Sequence, residues 1–200
     1  MQERQKVLSE ARRRRPALLL LFALALTSSA SALQARAETP EIGGKAPDFS
    51  LSSPEGKPVR LSTLTSDSSV VLVVLRGYPG YQCPFCQKQV HDFETHAKAF
   101  ADRGAEVLFV YPGPGVHLDE RAKEFLSQED ALPTNVHLVL DPDYRVTNLY
   151  GLRWDAPQET AYPSTFLIDR QGKVYFRQVS KGHGDRTTAE QVLSEMAKVH

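Results

Sequence analysis

The apolar run Val70–Leu75 constrains the fold more than any other part of this sequence. Its six residues are four valines and two leucines, with no polar residue between them. A strand of this kind is buried on both faces, as the strands of parallel sheets are. Two further strand-like runs, Ala105–Tyr111 and His137–Asp141, follow, and helical patterns separate them. This alternation predicts one α/β domain with a mostly parallel central sheet and helices on both faces.

A hairpin is predicted at each end of this region. At the N-terminal end, Phe49 and Leu51 alternate with polar residues before a turn at 54–56. At the C-terminal end, strands over Thr165–Asp169 and Lys173–Val179 flank a tight turn. The second hairpin is expected to form an antiparallel edge of the sheet.

Further helices are predicted downstream of the second central strand. One lies near Asp119–Gln128, and a short one lies within 142–151. The C-terminal helix carries a pattern typical of a capping box, with Thr187 as the capping residue and Glu190 three positions later.

The longest predicted helix follows the Val70–Leu75 strand and runs from Pro84 to Asp102. Proline is favoured at the first position of a helix, and Gly104 is placed to end it. Its apolar stripe has spacings of 4, 3, 4 and 3 residues and consists of Cys86, Val90, Phe93, Ala97 and Phe100.

The two cysteines of the chain, Cys83 and Cys86, lie at the start of this helix. A disulfide between them closes only a very small loop, so it adds little stability. A helix N-terminus stabilises a thiolate through free N–H groups and the helix dipole. A CxxC before a helix in an α/β protein is therefore interpreted as a redox centre. Because Cys86 shares the apolar stripe, we expect Cys83 to be exposed and to attack, and Cys86 to be shielded and to resolve.

A zinc-binding CxxC-HxxxxH module is the alternative, with Cys83, Cys86, His91 and His96 as ligands. Cys86 and His91 are five residues apart, which places them about 140° apart around a continuous helix. One ion does not easily reach both of them. A c-type haem site requires histidine directly after the second cysteine, and Gln87 occupies that position.

The N-terminus has the pattern of a signal peptide over residues 1–37. A basic run at Arg12–Arg15 precedes an apolar run at Ala17–Leu26, and A-x-A patterns suggest cleavage after Ala32 or Ala37. The apolar run falls well short of the ~20 residues that span a bilayer. We therefore expect a secreted, periplasmic protein without a stable membrane span.

The rest of the chain is divided into a tail, 38–45, and one redox domain, 46–200. Residues 1–37 hold seven of the 24 basic and two of the 24 acidic residues, so 17 basic and 22 acidic residues remain, a net charge of −5. This acidic balance argues against nucleic acid as a partner. Two other histidines are weaker candidates: His117 is a candidate proton relay, and His183 is interpreted as part of a surface turn.

From Gly43 to the C-terminus the sequence resembles the AhpC/TSA peroxiredoxins of the thioredoxin-like superfamily. The similar segments are GGKAPDFSLSSPEGKPVRLSTL, DPDYRVTNLYGL and the frame P-x-x-x-T/S-x-x-C, in which Pro79 and Cys86 match and Cys83 occupies the Thr/Ser position. The resemblance implies a thioredoxin-like fold, with Cys86 as the peroxidatic sulfur and Cys83 as its resolving partner. These roles of attacking and resolving sulfur are the reverse of those expected from the position of the cysteines on the helix.

The sequence departs from that family at one position. Peroxiredoxins carry an arginine shortly before the TFLID-like strand, and Pro163 stands there instead. The P-x-TFLID pattern resembles TlpA/ResA-type thiol–disulfide oxidoreductases, in which a cis-proline faces the CxxC, so Pro163 is a candidate cis-proline. Arg76 and Arg153 are the candidates for the missing guanidinium.

Two mechanisms follow from these resemblances. In a peroxidase, Cys86 attacks the O–O bond, becomes a sulfenic acid and condenses with Cys83. In a disulfide oxidoreductase, Cys83 attacks a protein disulfide and Cys86 resolves the mixed disulfide. Both use an external, thioredoxin-like dithiol reductant as partner, and neither uses a metal or a nucleotide cofactor.

Overall fold

The computed structural model describes residues 37–127 and 131–198. The predicted signal peptide, except Ala37, lies outside these residues. In the described part of the chain, no helix is both long enough and apolar enough to cross a membrane.

The described residues form a seven-stranded sheet in the order β2-β1-β5-β4-β3-β6-β7. The neighbours β3, β4 and β5 are parallel, and all other neighbouring pairs are antiparallel. The strands are β1 (Ser50–Ser52), β2 (Pro58–Arg60), β3 (Ser69–Val74), β4 (Ala105–Gly113), β5 (Val136–Pro142), β6 (Ser164–Ile168) and β7 (Val174–Val179).

Six helices connect or flank these strands in the described residues. They are α1 (Leu61–Asp67), α2 (Pro84–Thr95), α3 (Ala97–Ala101), α4 (Leu118–Leu126), α5 (Arg145–Leu149) and α6 (Ala189–Met196). The α/β, thioredoxin-like fold is thus confirmed, with a parallel centre and helices on both faces.

The sheet has an antiparallel hairpin at both edges, whereas only the C-terminal one was predicted to be an edge. The β1–β2 hairpin joins the sheet because Ser52 of β1 pairs with Leu140 of β5. The short helix α1 was not predicted, since its sequence LSTLTSD is rich in serine and threonine, which are weak helix formers.

The predicted long helix is wrong in one respect, because it is two helices. It breaks at His96, whose φ and ψ are −101° and 8°. The Thr95 hydroxyl donates to the carbonyl of His91 at 2.6 Å, and such side-chain bonds compete with helical hydrogen bonding. The apolar stripe nevertheless continues through the break, and all five of its side chains are at most 5% exposed.

The residues of β3, together with Leu75 directly after it, alternate between two hydrophobic cores, one on each face of the sheet. Val71, Val73 and Leu75 pack on the face that carries both cysteines, while Val70, Leu72 and Val74 pack on the opposite face. Burial on both faces confirms the interpretation of this run as a central strand.

The cap of α6 lies one residue later than predicted. Thr188 is the N-cap, and its hydroxyl accepts a hydrogen bond from the backbone N–H of Gln191. Thr187 is buried instead, and its hydroxyl lies 2.7 Å from that of Thr165 on β6. The tertiary contact with β6 decided which of two adjacent threonines caps the helix.

The segment 38–45, predicted as a tail, lies along the sheet. The N–H of Gly43 donates to the carbonyl of Val174 at 2.7 Å, and the N–H of Val174 donates to the carbonyl of Gly44 at 2.9 Å. Glu41 also pairs with Arg177 of β7 at 2.9 Å. This segment is therefore fastened to β7 by backbone and side-chain contacts.

Candidate active site

The CxxC lies beyond the carboxyl end of β3, where ligands bind in open α/β sheets. Strand β3 leads through a loop into α2, and Gly77 shapes that loop. Gly77 has a φ of +73°, and a Cβ at this position would lie 1.9 Å from the carbonyl oxygen of Pro112. This close approach holds the loop, and hence the start of α2, against the end of β4.

Cys83 is the N-cap of α2, and Cys86 lies in its first turn. The N–H of Cys86 donates to the carbonyl of Cys83 at 3.0 Å. Both cysteines are free thiols, and both are buried, with 1% of Cys83 and none of Cys86 exposed. The expectation that Cys86 is shielded is confirmed, but the expectation that Cys83 is exposed is wrong, because side chains from distant loops cover it.

The surroundings of the two thiols lower the pKa of one and raise the pKa of the other. A hydrogen bond from the Cys86 thiol is the main cause that lowers the pKa of Cys83 to about 5, against the opposing effect of burial. The Cys86 backbone N–H and the guanidinium groups of Arg186 and Arg76 lower it further. Burial and the hydrogen bond to Cys83 raise the pKa of Cys86 above its ordinary value. Cys83 is therefore the thiolate of the pair.

Arg186, which the sequence analysis did not single out, brings a positive charge to this thiolate. Its Nη2 lies 3.8 Å from the sulfur of Cys83. Its Nη1 donates to Gln89 Oε1 at 3.0 Å, and its Nε donates to the carbonyl of His183 at 2.7 Å. Arg186 lies 103 positions from Cys83 in the chain, in the β7–α6 connection, so no local sequence pattern relates the two residues.

Arg76 is buried beside the cysteines and is held by an ion pair. Its Nε donates to Glu159 Oε2 at 2.6 Å, its Nη1 donates to the hydroxyl of Tyr81 at 2.8 Å, and its Nη2 donates to the carbonyl of Gln158 at 2.7 Å. Glu159 also binds His183, with 2.9 Å between Oε1 and Nε2. Although burial raises it, the pKa of Glu159 lies below its ordinary value because Arg76 and His183 stabilise the carboxylate.

Arg153, the other arginine predicted to supply a guanidinium, makes its hydrogen bonds within the loop that precedes β6. It donates to the carbonyls of Trp154, Glu159 and Thr160, and it lies over the ring of Tyr144. Its contacts hold the loop that carries Glu159, so its connection to the cysteines is indirect.

Pro163 and Pro79, the two predicted supporting prolines, lie in different segments of the chain. Pro163 is buried directly before β6 and lines a small cavity together with Gln89 and Arg186. No peptide bond of the described residues is cis, so the candidate cis-proline is trans. Pro79 is half-buried in the loop that leads to Cys83.

Residues 42–177 match the AhpC/TSA family. The chain belongs to the AhpC/TSA family.

Relatives of this AhpC/TSA chain include proteins of two kinds. It is 29% identical to the thiol–disulfide oxidoreductase ResA of Geobacillus thermodenitrificans, over 78% of this chain and 79% of that one. It is also 29% identical to peroxiredoxin Bcp of Bacillus subtilis, over 68% and 83%. A solved structure, peroxidoxin BcpB of Mycobacterium tuberculosis, matches 80% of this chain and 99% of its own with a TM-score of 0.63 and 25% identity. The chain is thus a thiol-dependent oxidoreductase.

In this AhpC/TSA chain, the arginine that faces the thiolate lies in a different part of the fold from the one that the family resemblance predicted. The family resemblance predicted a guanidinium directly before β6, where Pro163 stands. Arg186 instead approaches the Cys83 sulfur from beyond β7. The position differs, but the charge that a thiolate requires is present.

The histidines of the predicted zinc module do not converge with the cysteines. Among the described residues, no group of three or more His, Cys, Asp or Glu side chains is arranged to hold a metal ion. His96, at the break between α2 and α3, contacts Asp92 of α2. His117, the candidate proton relay, pairs with Glu120 on the surface.

Proposed function

We propose that this protein reduces peroxides, with Cys83 as the attacking sulfur and Cys86 as the resolving one. The observation that carries the proposal is the environment of Cys83. It caps α2, faces Arg186 at 3.8 Å and is 1% exposed. So little exposure favours a small substrate over a bulky one, and the cations stabilise both the thiolate and the oxygens of a peroxide.

In the first step, the Cys83 thiolate attacks one oxygen of the peroxide. The S–O bond forms as the O–O bond breaks, and the second oxygen leaves as an alkoxide or hydroxide that takes up a proton. Cys83 becomes a sulfenic acid, oxidised by two electrons, and the peroxide is reduced to an alcohol or water.

In the second step, Cys86 attacks the sulfur of the Cys83 sulfenic acid, and water leaves. The charge of Cys83 contributes to the raised pKa of Cys86. Oxidation of Cys83 removes that charge, so Cys86 becomes easier to deprotonate at the moment when it has to act. An external dithiol then reduces the Cys83–Cys86 disulfide by exchange.

Disulfide exchange is a second candidate function, favoured by the surface around the cysteines. Tyr81 and Phe85, two residues before and two residues after Cys83 in the chain, are 45% and 49% exposed. Such a surface suits the docking of another protein, either as a disulfide substrate or as the dithiol reductant.

Stopped-flow kinetics with hydrogen peroxide test the proposal. We expect the reduced wild type and Cys86→Ser to react fast, with a sulfenic acid that dimedone traps in Cys86→Ser, and Cys83→Ser to react no faster than a free thiol. If Cys83→Ser reacts fast with peroxide and Cys86→Ser does not, Cys86 is the attacking sulfur, as the family resemblance implies. Slow reaction of the wild type with several peroxides, combined with fast reduction of protein disulfides, supports the second candidate.

We also propose that the protein is exported to an oxidising compartment such as the periplasm. The basic and apolar runs of residues 1–37 support this proposal. Cell fractionation and N-terminal sequencing of the mature protein test it, and a mature chain that still begins at Met1 contradicts it.

A further inference from the structure

The peroxide reaction proposed above needs a proton donor for the leaving oxygen, and neither cysteine supplies that proton. The leaving oxygen is a strongly basic alkoxide or hydroxide, and protonation by a positioned acid typically accelerates such a step by about 10²–10⁴-fold. Cys83 has lost its proton before the attack, and the Cys86 thiol directs its own proton to the Cys83 sulfur. Arginine does not release a proton near neutral pH.

His183 belongs to the hydrogen-bond network that reaches Cys83 through Arg186. Its carbonyl accepts from Arg186, whose other end faces the Cys83 sulfur. Its ring lies 6.5 Å from that of Phe85, which is two residues after Cys83 in the first turn of α2, and 5.2 Å from that of Trp154. The imidazole therefore lies beside the N-terminal turn of α2.

Glu159 orients this imidazole. Its Oε1 binds Nε2 of His183 at 2.9 Å, while Oε2 binds Arg76, so the carboxylate is fixed from both sides. With Nε2 held by Glu159, Nδ1 is the ring atom left to meet a substrate. When the ring is protonated, the proton on Nδ1 is the one that it can transfer. The side chain of His183 is 36% exposed, so water can restore that proton.

We infer that His183, oriented by Glu159, is the general acid that protonates the leaving oxygen of the peroxide. This inference rests on the proposed peroxidase function. The Cys83 thiolate supplies the electron pair to one oxygen, the O–O bond breaks, and the other oxygen takes the proton from Nδ1 of His183. The neutral imidazole then regains a proton from water.

The test compares electrophiles that do and do not need a proton. Hydrogen peroxide and tert-butyl hydroperoxide expel basic oxygens. Peracetic acid expels acetate, and iodoacetamide expels iodide, and both leaving groups are stable without protonation. His183→Gln keeps an amide donor for Glu159 but holds no proton to release. His117→Gln, which changes an exposed histidine paired with Glu120, is the matched control.

We expect His183→Gln to react about 10²-fold more slowly than wild type with the first two reagents and at an unchanged rate with the other two. His117→Gln should match wild type with all four. Equal slowing with all four reagents, or no slowing with any, overturns the inference, since the first outcome indicates a structural role and the second no role.

The same experiment separates this inference from the proposed function. If wild type reacts with hydrogen peroxide no faster than a free thiol while iodoacetamide still alkylates Cys83 rapidly, peroxidase function fails, and the inference fails with it. If wild type reacts fast and His183→Gln reacts equally fast, only the inference fails. Should His183→Gln not fold, His183→Asn replaces it, since its side-chain amide also holds no proton to release.

Discussion

At the scale of single residues, the chemistry of this protein depends on a difference between two neighbouring thiols. Cys83 and Cys86 share one helical turn, yet the pKa of the first is lowered and that of the second is raised. The helix N-terminus contributes to this difference, and Arg186 and Arg76 add charges that no local pattern reveals. One hydrogen bond between the thiols stabilises a thiolate on Cys83 at the expense of Cys86.

Arg186→Gln should raise the pKa of Cys83 from about 5 by about 1 to 3 pH units, because it removes a positive charge that faces the sulfur. Titration of the thiolate absorbance at 240 nm and the pH dependence of alkylation by iodoacetamide measure this change. Arg170→Gln, on an exposed turn, is the control and should titrate as wild type. An unchanged titration in Arg186→Gln contradicts the assignment of this residue.

The lowered pKa of Cys83 also predicts how stability depends on pH. Between about pH 5 and the ordinary thiol pKa of 9.0, the unfolded chain binds a proton at Cys83 that the folded chain does not. The contribution of Cys83 to the free energy of unfolding is therefore fully present above that range. It is lost as the pH falls to about 5, with a slope of at most about 1.4 kcal/mol per pH unit.

Urea unfolding of the reduced protein at several pH values between 5.5 and 8.5 measures this dependence, with Cys83→Ser as the reference. We expect the stability of wild type relative to Cys83→Ser to increase with pH. A difference that stays constant over this range is incompatible with a Cys83 thiolate in the folded state.

At the scale of elements, the site is built where the ends of β3 and β4 meet. The loop after β3 approaches the end of β4 so closely that only glycine fits at position 77. The N–H of Tyr78 then donates to the carbonyl of Pro112 at 2.9 Å, which fastens this contact. The direction in which the chain enters α2, and so the placement of Cys83, depends on that loop.

Gly77→Ala should destabilise the protein by about 3 kcal/mol or more, because its Cβ meets backbone atoms and its φ is positive. Gly56→Ala is the matched control. Its φ is +81°, but no atom lies within 4 Å of an added Cβ, so only about 1–2 kcal/mol is expected from the backbone conformation. Chemical denaturation measures both values, and equal losses in the two variants would show that the contact with Pro112 carries no energy.

At the scale of the whole molecule, both edges of the sheet are antiparallel, and the N-terminal segment extends one of them. The N–H groups of Gly43 and Ala46 donate to the carbonyls of Val174 and Gly172, and the N–H of Val174 donates to the carbonyl of Gly44, at the turn into β7. Arg177 of β7 also donates to the carbonyls of Thr39 and Pro40, so the segment contacts β7 at its start and at its middle. Two parts of the chain that are far apart in sequence are therefore coupled in stability.

Removal of residues 1–45 should destabilise the protein by roughly 2 kcal/mol relative to removal of residues 1–37, since two backbone hydrogen bonds to Val174 are lost at about 1 kcal/mol each. In a domain of this size the Tm should fall by about 4–8 °C. Arg177→Gln separates the ion pair with Glu41 from the backbone contacts. Equal Tm values for the two truncated chains would contradict a structural role for this segment.

Much of the fold was predictable because it depends on local patterns. The apolar run at Val70–Leu75 and the stripe from Cys86 to Phe100 report burial directly, and both predictions are confirmed. Errors occurred where a tertiary contact outweighed the local pattern. Thr187 matches a capping residue in sequence, but its hydroxyl pairs with Thr165, so the cap moved to Thr188.

The sequence by itself determined the central strands, the position of both cysteines at the start of α2 and the burial of Cys86, because these depend on hydrophobic periodicity over a few residues. Only the tertiary structure decided that Cys83 is buried, that Arg186 faces its sulfur, and that Glu159 links Arg76 to His183. The physical reason is that charges act through space. A guanidinium 103 residues away along the chain lowers the pKa of a thiol when folding brings the two groups to 3.8 Å.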